Sequence, residues 1–288
     1  MLPIVLFRTI RWRYENMAQK KPMISERDLK LNESLKNIKH VIIVISGKGG
    51  VGKSTVSSNL AMSLAMKGHK TGIMDIDIHG PNIPKMFAVE DEQIMIDDGK
   101  LVPVTASNNL KVMSMAFLLP EKDAPVAWRG PVKTGLIRQF IKDVAWGELD
   151  YLVIDMPPGT GDEAISVVQL IPKADGMVIV TTPQDVALLD SRKSVVFGAQ
   201  TKIPVIGMIE NMSGFICPHC NECSDIFKAG GGERTANEMG IPFLGRVPIE
   251  PGIVVSGDSG VPIVISSPDS GSAKAFIGIT ERIIKTLG

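Results

Sequence analysis

The chain has 288 residues, with 31 Lys+Arg balancing 31 Asp+Glu, 44% hydrophobic residues and 22% charged ones. That composition belongs to a globular chain that can bury a substantial core; it excludes global disorder and a mainly electrostatic, non-specific nucleic-acid binder. No apolar run approaches the length of a bilayer span, so no membrane association is expected.

Charge is unevenly spread along the chain. Residues 1–40 hold nine Lys/Arg against four Asp/Glu, so the remainder is mildly acidic. Residues 1–37 read as a basic, poorly ordered N-terminal extension. Its first fourteen residues, MLPIVLFRTIRWRY, carry three arginines and no acid. That fits an organelle-targeting peptide, a basic arm, or a segment upstream of a more natural start at Met17 or Met23. Leu2–Phe7 is too short for a secretory h-region. The scattered charges of Ser25–Lys39 predict a short surface helix.

From His40 the pattern is strand then helix, repeated. His40–Ser46 (HVIIVIS) is a nearly continuous β-branched run, expected of a parallel strand buried on both faces. Lys53–Lys67 follows as a helix, with Val56, Leu60, Leu64 and Met66 near one stripe and a stop at Gly68. Apolar strands recur at Thr71–Asp75, Tyr151–Asp155, Met177–Thr181 and Val205–Ile209. Helices are predicted over Val132–Val144, Glu163–Ile171, Val186–Phe197, Glu233–Met239 and Ser272–Leu287. Within 91–112, short apolar pieces around Asp97-Asp98-Gly99 predict a β-hairpin insertion. The repeated unit implies an α/β fold: a single doubly wound, mostly parallel sheet flanked by helices, occupying residues 38–288.

Between the first strand and helix lies Ser46-Gly47-Lys48-Gly49-Gly50-Val51-Gly52-Lys53-Ser54-Thr55. Gly47 to Ser54 satisfies G-x-x-x-x-G-K-[ST], a phosphate-binding loop. Glycines let backbone N–H groups curl around phosphates, Lys53 would neutralise the β- and γ-phosphates, and the Ser54 hydroxyl would bind Mg²⁺. Gly47, Gly49 and Gly52 also satisfy G-x-G-x-x-G, and Asp75 lies where a ribose-binding acid would fall. Lys53-Ser54 favours the triphosphate, because a dinucleotide fingerprint has no need for that pair. Two acid groups end later strands. Asp155, in YLVIDMPPGTGD, reads as a Walker B-type aspartate holding Mg²⁺, and Asp75 supports the metal shell. Asp77 can orient or activate the attacking water. Pro157–Asp162 has the glycine content of a switch loop.

The three cysteines fall within seven residues, Cys217-Pro218-His219-Cys220-Asn221-Glu222-Cys223. Such spacing converges on one soft metal centre. His219, inside the Cys217–Cys220 turn, is badly placed as a fourth ligand. Cys217 and Cys220 from each of two chains would complete a shared [4Fe–4S] cluster. A zinc knuckle and unligated reduced thiols remain alternatives.

With these motifs, the sequence resembles the Mrp/ApbC-type iron–sulfur cluster carriers, a branch of the MinD/NifH-like ATPases with a deviant Walker A loop. The resemblance covers about residues 38–288 and rests on GKGGVGKST (47–55), DIDIHGPNIP (75–84), WRGP (128–131), DMPPGTGD (155–162), TTPQ (181–184), ENMS (210–213) and CPHC (217–220). It implies a homodimer with ATP at the interface, a bridging labile cluster on paired CxxC motifs, and Lys48 reaching the partner's nucleotide. It further implies that Asn211 contacts the adenine and that Arg129 belongs to a nucleotide-linked switch. Cys223 lies outside the family's core pattern. The expected function is a slow, Mg²⁺-dependent, cytoplasmic ATPase that carries a [4Fe–4S] cluster from an upstream scaffold to apo-protein clients, with a cysteine loop near 214–229. The alternatives are a MinD/ParA-like regulatory switch with structural zinc or unligated cysteines, and an ATP-driven reductase. Ser272–Leu287 has only Lys274, Arg282 and Lys285 as basic residues, so it reads as a packed helix and not a membrane-targeting one.

Overall fold

The β-branched run after Asn37 forms β1 (Ile38–Ser46), whose residues Val41 to Ile45 are wholly buried in the computed structural model. The structure describes residues 34–118, 130–171, 173–217, 220 and 222–288. Residues 1–33, Arg129, His219 and the side chain of Cys223 lie outside the described residues, and with them most of the basic extension. After β1 come α1 (Lys53–Met66), β2 (Thr71–Asp75), α2 (Ile83–Met86), β3 (Met95–Asp97), β4 (Lys100–Val102), β5 (Val104–Ser107) and β6 (Leu110–Ser114). The middle of the chain supplies α3 (Gly130–Asp143), β7 (Leu149–Asp155), α4 (Asp162–Leu170), β8 (Gly176–Thr181), α5 (Asp185–Thr201) and β9 (Val205–Glu210). A short pair, β10 (Phe215–Ile216) and β11 (Cys223–Ser224), precedes α6 (Gly231–Met239), β12 (Phe243–Arg246), α7 (Pro251–Ser259), α8 (Ile263–Ser266) and α9 (Gly271–Leu287).

The main sheet runs β12-β9-β8-β1-β7-β2-β6-β5 and is parallel except at β5, which pairs antiparallel with β6. Alternation along each strand feeds two cores, as the doubly wound reading predicts. Val41, Ile43 and Ile45 pack with Ile154, Phe140 of α3 and Val167 of α4 on one face. Ile42 and Val44 pack with Leu60 and Leu64 of α1 and Phe276 of α9 on the other. The chain winds outward from β1 in both directions, so the crevice at the carboxyl ends of β7, β1 and β8 is the topological switch point, where open α/β sheets bind ligands.

Three local expectations need correction. Met66 is not on a buried stripe; it is 51% exposed, while Val56 through Ala65 is buried all round. Small residues (Ser57, Ser58, Ala61, Ser63) let the sheet and α9 close on opposite sides of α1, which a single apolar stripe could not reveal. Ser25–Lys39 does not end as a surface helix, since Ile38 and Lys39 already belong to β1 and Leu35 packs into the core. Finally, 91–112 is only half an insertion. The antiparallel pair β3–β4 stands apart, but β6 joins the main sheet beside β2, because Leu110, Val112 and Met113 are buried there.

Gly72, on β2, lies beneath Trp146 and Leu149, whose nearest side-chain carbons would be 2.8 Å from an added Cβ. Restricting the unfolded chain would favour Gly72→Ala by about 0.4–1 kcal/mol, but overpacking at this distance costs about 1–3 kcal/mol. Denaturant unfolding should therefore show Gly72→Ala destabilised by about 1–2 kcal/mol. Nucleotide affinity should stay unchanged, because Gly72 lies toward the amino end of β2, away from the crevice.

Candidate nucleotide and cysteine site

The loop from Gly47 to Gly52 leaves β1 and turns directly into α1. Gly50 and Gly52 have φ of +79° and +81°, backbone that L side chains rarely adopt. The α1 N-cap, Gly52, brings no side-chain hydrogen bond to the first turn, so the helix N-terminus presents N–H groups and partial positive charge to a phosphate. Not every glycine is there for the phosphates. A Cβ on Gly47 would lie 2.4 Å from the backbone carbonyl of Asp190 on α5, and one on Gly52 would lie 2.2 Å from the Asn211 side-chain nitrogen. Those two glycines let neighbouring elements press against the back of the loop. Gly49 and Gly50 are the open ones: the nearest atom to a Cβ on Gly49 is 4.0 Å away.

Asp155 ends β7 opposite the loop and is fully buried. Its Oδ2 accepts from Lys53 Nζ at 2.8 Å and Ser54 Oγ at 2.6 Å, while Oδ1 accepts from Ser57 Oγ at 2.6 Å. Asp75 is its register neighbour on β2 and is equally buried, accepting from Ser114 Oγ at 2.8 Å and from the Asp77 backbone N–H at 3.1 Å. Two buried carboxylates thus share one buried lysine. Burial first, and then repulsion from Asp155, push the Asp75 pKa up to about 8, against the opposing pull of Lys53. Such a surplus of hard oxygen donors, with a serine hydroxyl 2.6 Å from one carboxylate, is the chemistry of a Mg²⁺ site, and the residues present fit that ion.

Asp77 does something sequence spacing did not show. Its Oδ1 accepts from the backbone N–H groups of His79 and Gly80 at 3.1 and 3.2 Å, so the carboxylate also shapes its own turn. The Pro157–Asp162 turn is tied to the loop, because the Gly159 N–H donates to Ser46 O at 2.9 Å and Gly159 has φ of +92°. Lys48 is half-exposed and its ammonium has no partner among the described residues, whereas Lys53 is 6% exposed and ion-paired. Asn211 is buried against the loop: its N–H donates to Thr181 O and its Nδ2 donates to Val51 O, both at 2.8 Å. Its nearness to an adenine site rests on the resemblance alone.

The cysteines sit on a hairpin that leaves the same edge of the sheet just beyond β9. The pairs Phe215↔Ser224 and Ile216↔Cys223 form its ladder, and the Cys217 N–H donates to Glu222 O at 3.0 Å. Cys217 is half-buried and Cys220 exposed near the tip, whereas Cys223 belongs to the ladder. An Ile249 N–H to Gly214 O bond of 2.8 Å fixes the hairpin root to the body. Sequence reasoning passed over Glu210, the wholly buried carboxylate at the end of β9. Its one signal was an acid closing an apolar strand, the same signal that singled out Asp155.

The chain is similar to known proteins over most of its length. The ParA family, described as NUBPL iron-transfer P-loop NTPase, matches residues 37–284. The chain is 49% identical to an iron–sulfur cluster carrier protein of Methanocaldococcus jannaschii, covering 92% of this chain and 91% of that protein. It is 52% identical to the cytosolic Fe-S cluster assembly factor CFD1 of Kluyveromyces lactis, covering 78% and 82%. Among solved structures, a nucleotide-binding protein from Archaeoglobus fulgidus in complex with ADP superposes with a TM-score of 0.74 at 41% identity, covering 84% and 94%. The cell-division ATPase MinD of Pyrococcus furiosus superposes at 0.67 with 25% identity, covering 86% and 99%.

Because Asp75 holds its proton more tightly folded than unfolded, its contribution to stability is present in acid and is lost as pH rises toward about 8. Thermal unfolding of nucleotide-free protein should show Tm falling across that window. Asp75→Asn should flatten the fall and be relatively more stable at the alkaline end. An unchanged slope would mean that Asp75 is ionised throughout.

Proposed function

The chain belongs to the ParA family of NUBPL-type iron-transfer P-loop NTPases, and from that premise we propose that it is a cluster carrier. On this reading it binds and slowly hydrolyses ATP with Mg²⁺, and it holds a [4Fe–4S] cluster between two copies of itself. It receives the cluster from a scaffold in the cytosol and passes it to apo-proteins. The observation that carries the proposal is the placement of Cys217 and Cys220 on a hairpin rooted at the same sheet edge as the phosphate loop. The regulatory-switch alternative draws less support, since relatives at about half identity are named carriers or assembly factors while MinD stands at 25%.

Each residue then has a task that its position supports. The N–H groups of Gly49–Thr55 and the α1 N-terminus cradle the phosphates, and Lys53 turns its ammonium to the β- and γ-oxygens. Ser54 and Asp155 hold Mg²⁺, with Asp75 behind Asp155. The ion would neutralise charge developing on the departing phosphate. Asp77 orients the attacking water, whose oxygen bonds to the γ-phosphorus as the bond to the bridging oxygen of ADP breaks. Lys48, which has no partner within its own chain among the described residues, is available to reach the nucleotide of a second copy. Asn211, bonded to Val51 of the loop, would contact the adenine. Residues 38–288 act as one ATPase domain, with 214–229 as its cluster-bearing loop.

Ligand chemistry supports the dimer. Two thiolates per chain are half of what a [4Fe–4S] cluster requires. Beside the hairpin, Val186 and Leu189 at the start of α5 and Ile226 and Phe227 in the following loop are exposed apolar side chains. A second copy covering that edge would remove them from water.

Anaerobic reconstitution with ferrous iron and sulfide should give a brown protein with one cluster per two chains and the mass of a dimer. The cluster should move to an apo-acceptor. Cys217→Ala/Cys220→Ala should stay colourless and monomeric under the same treatment, yet bind ATP within about twofold of wild type, because no cysteine lies in the phosphate loop. Colourless wild-type protein holding stoichiometric zinc would sink the carrier reading.

A further inference from the structure

We infer that Glu210 is a positioning residue for cluster binding: its buried carboxylate clamps both roots of the cysteine hairpin and so sets where Cys217 and Cys220 stand. The inference rests on the cluster-carrier reading for its consequence, though not for its geometry. Glu210 ends β9, opposite Thr181 in register, and is 0% exposed. One oxygen, Oε1, accepts from the hydroxyl of Ser213 and from the Gly230 N–H at 2.8 Å; the other accepts from the Gly232 N–H. Ser213 immediately precedes the hairpin segment and Gly230 closes the loop that follows it. The cysteine-bearing segment between them therefore begins and ends on one side chain.

Several features show that the contact is built. Gly230, at φ +82°, and Gly232 bring their backbone N–H groups onto the carboxylate. A Cβ on Gly232 would lie 3.0 Å from Glu210 Oε2, so a side chain there would push the clamp apart. Glu210 also supplies the negative charge that the N-terminus of α6 favours, a role its own N-cap, Gly230, cannot fill. The neighbouring guanidinium of Arg246 stands 3.8 Å off and is paired with Glu233.

Burial decides which tie matters. The same loop is also held by Lys228 to Asp185 at 2.7 Å, but both side chains are about two-thirds exposed, so solvent screens that pair. Hydrogen bonds to a desolvated carboxylate are worth several times more. The backbone next to the clamp leads to the nucleotide side as well: Asn211, the next residue, donates to Val51 O of the phosphate loop at 2.8 Å.

The inference is tested with Glu210→Gln, which keeps the shape but turns one acceptor into a donor facing N–H groups, and with Ser213→Ala, which removes a single strut. Lys228→Ala is the surface control. After anaerobic reconstitution, loss of the cluster to an iron chelator should be about tenfold faster in Glu210→Gln and a few-fold faster in Ser213→Ala. ATP affinity should remain within about twofold in both, and Lys228→Ala should match wild type on both counts. Amide hydrogen exchange should rise across residues 213–232 in the first two variants and stay unchanged over 47–55. Unchanged chelation rates in a wild type that holds its cluster would overturn the inference, and so would parallel losses of ATP and cluster in Ser213→Ala. If Glu210→Gln does not fold, Ser213→Ala decides alone. If wild type takes up no cluster, the carrier reading fails, and hydrogen exchange alone then decides the clamp: unchanged exchange across 213–232 would overturn it.

Discussion

The Asp155 carboxylate is removed from water at the end of a central strand, and the surrounding structure follows from what that charge requires. An uncompensated ion at 0% exposure would cost several kcal/mol, so it is met by Lys53 Nζ at 2.8 Å and by two serine hydroxyls at 2.6 Å. All three donors come from the first turns of α1. Satisfying one carboxylate therefore fixes the helix, the loop before it and the β1–β7 pairing with respect to one another. Removing one partner of such a pair typically costs about 3–5 kcal/mol, more than any single surface contact in the molecule could supply. The arrangement is nevertheless short of positive charge. Asp75, beside Asp155, has no cation of its own among the described residues, and its raised affinity for a proton expresses the same deficit that a divalent ion would satisfy.

Glu210 repeats the arrangement at lower charge density. It is another buried acid at the carboxyl end of a parallel strand, but its hydrogen bonds come from backbone N–H groups and a hydroxyl, with the Arg246 guanidinium 3.8 Å away, where Asp155 bonds a lysine directly. The difference suits what each holds. A lysine can exchange a carboxylate for a phosphate, so the Asp155 cluster can change partners with the nucleotide. Backbone N–H groups have no such mobility, so the Glu210 cluster can only hold or release the segment it ties. Two strands separate β9 from β7 in the sheet, β8 and β1, and both are buried where they approach the crevice. A shift at the phosphate loop therefore has its most direct route to the hairpin through Asn211, bonded to Val51, and not through the core.

Much of this was legible in the sequence because the signals were local. Continuous β-branched runs such as Val41–Ile45 mark strands buried on both faces, and an acid at the end of such a run falls at the ligand-binding edge of any doubly wound sheet. Features set by tertiary closeness were not legible. Met66 looked like core because it is apolar, yet α1 is buried through its serines and alanines, whose small size admits α9 and the sheet on opposite sides. Gly47 looked like a phosphate glycine, yet its lack of a side chain is required by Asp190, far away in the chain. Glu210 carried the same strand-end signal as Asp155 but no glycine-rich motif beside it, and its partners, Gly230 and Gly232, lie about twenty residues downstream.

The cysteine arithmetic gains physical content from the hairpin. Cys223 is committed to the ladder opposite Ile216, while Cys217 and Cys220 lie beyond it toward the tip, so the three thiols are not equivalent positions on one turn. A tight site would enclose its metal with four ligands from one chain and a surrounding shell. Here Cys220 is exposed and the hairpin has a two-residue ladder, steadied at its roots by a buried carboxylate. A cluster held between two such tips would have half of its thiolates from each chain and access from solvent. It could then leave when the two chains part, without either chain unfolding. A carrier needs that combination: firm roots that set the cysteine geometry, and an exposed thiol through which the cargo can be reached.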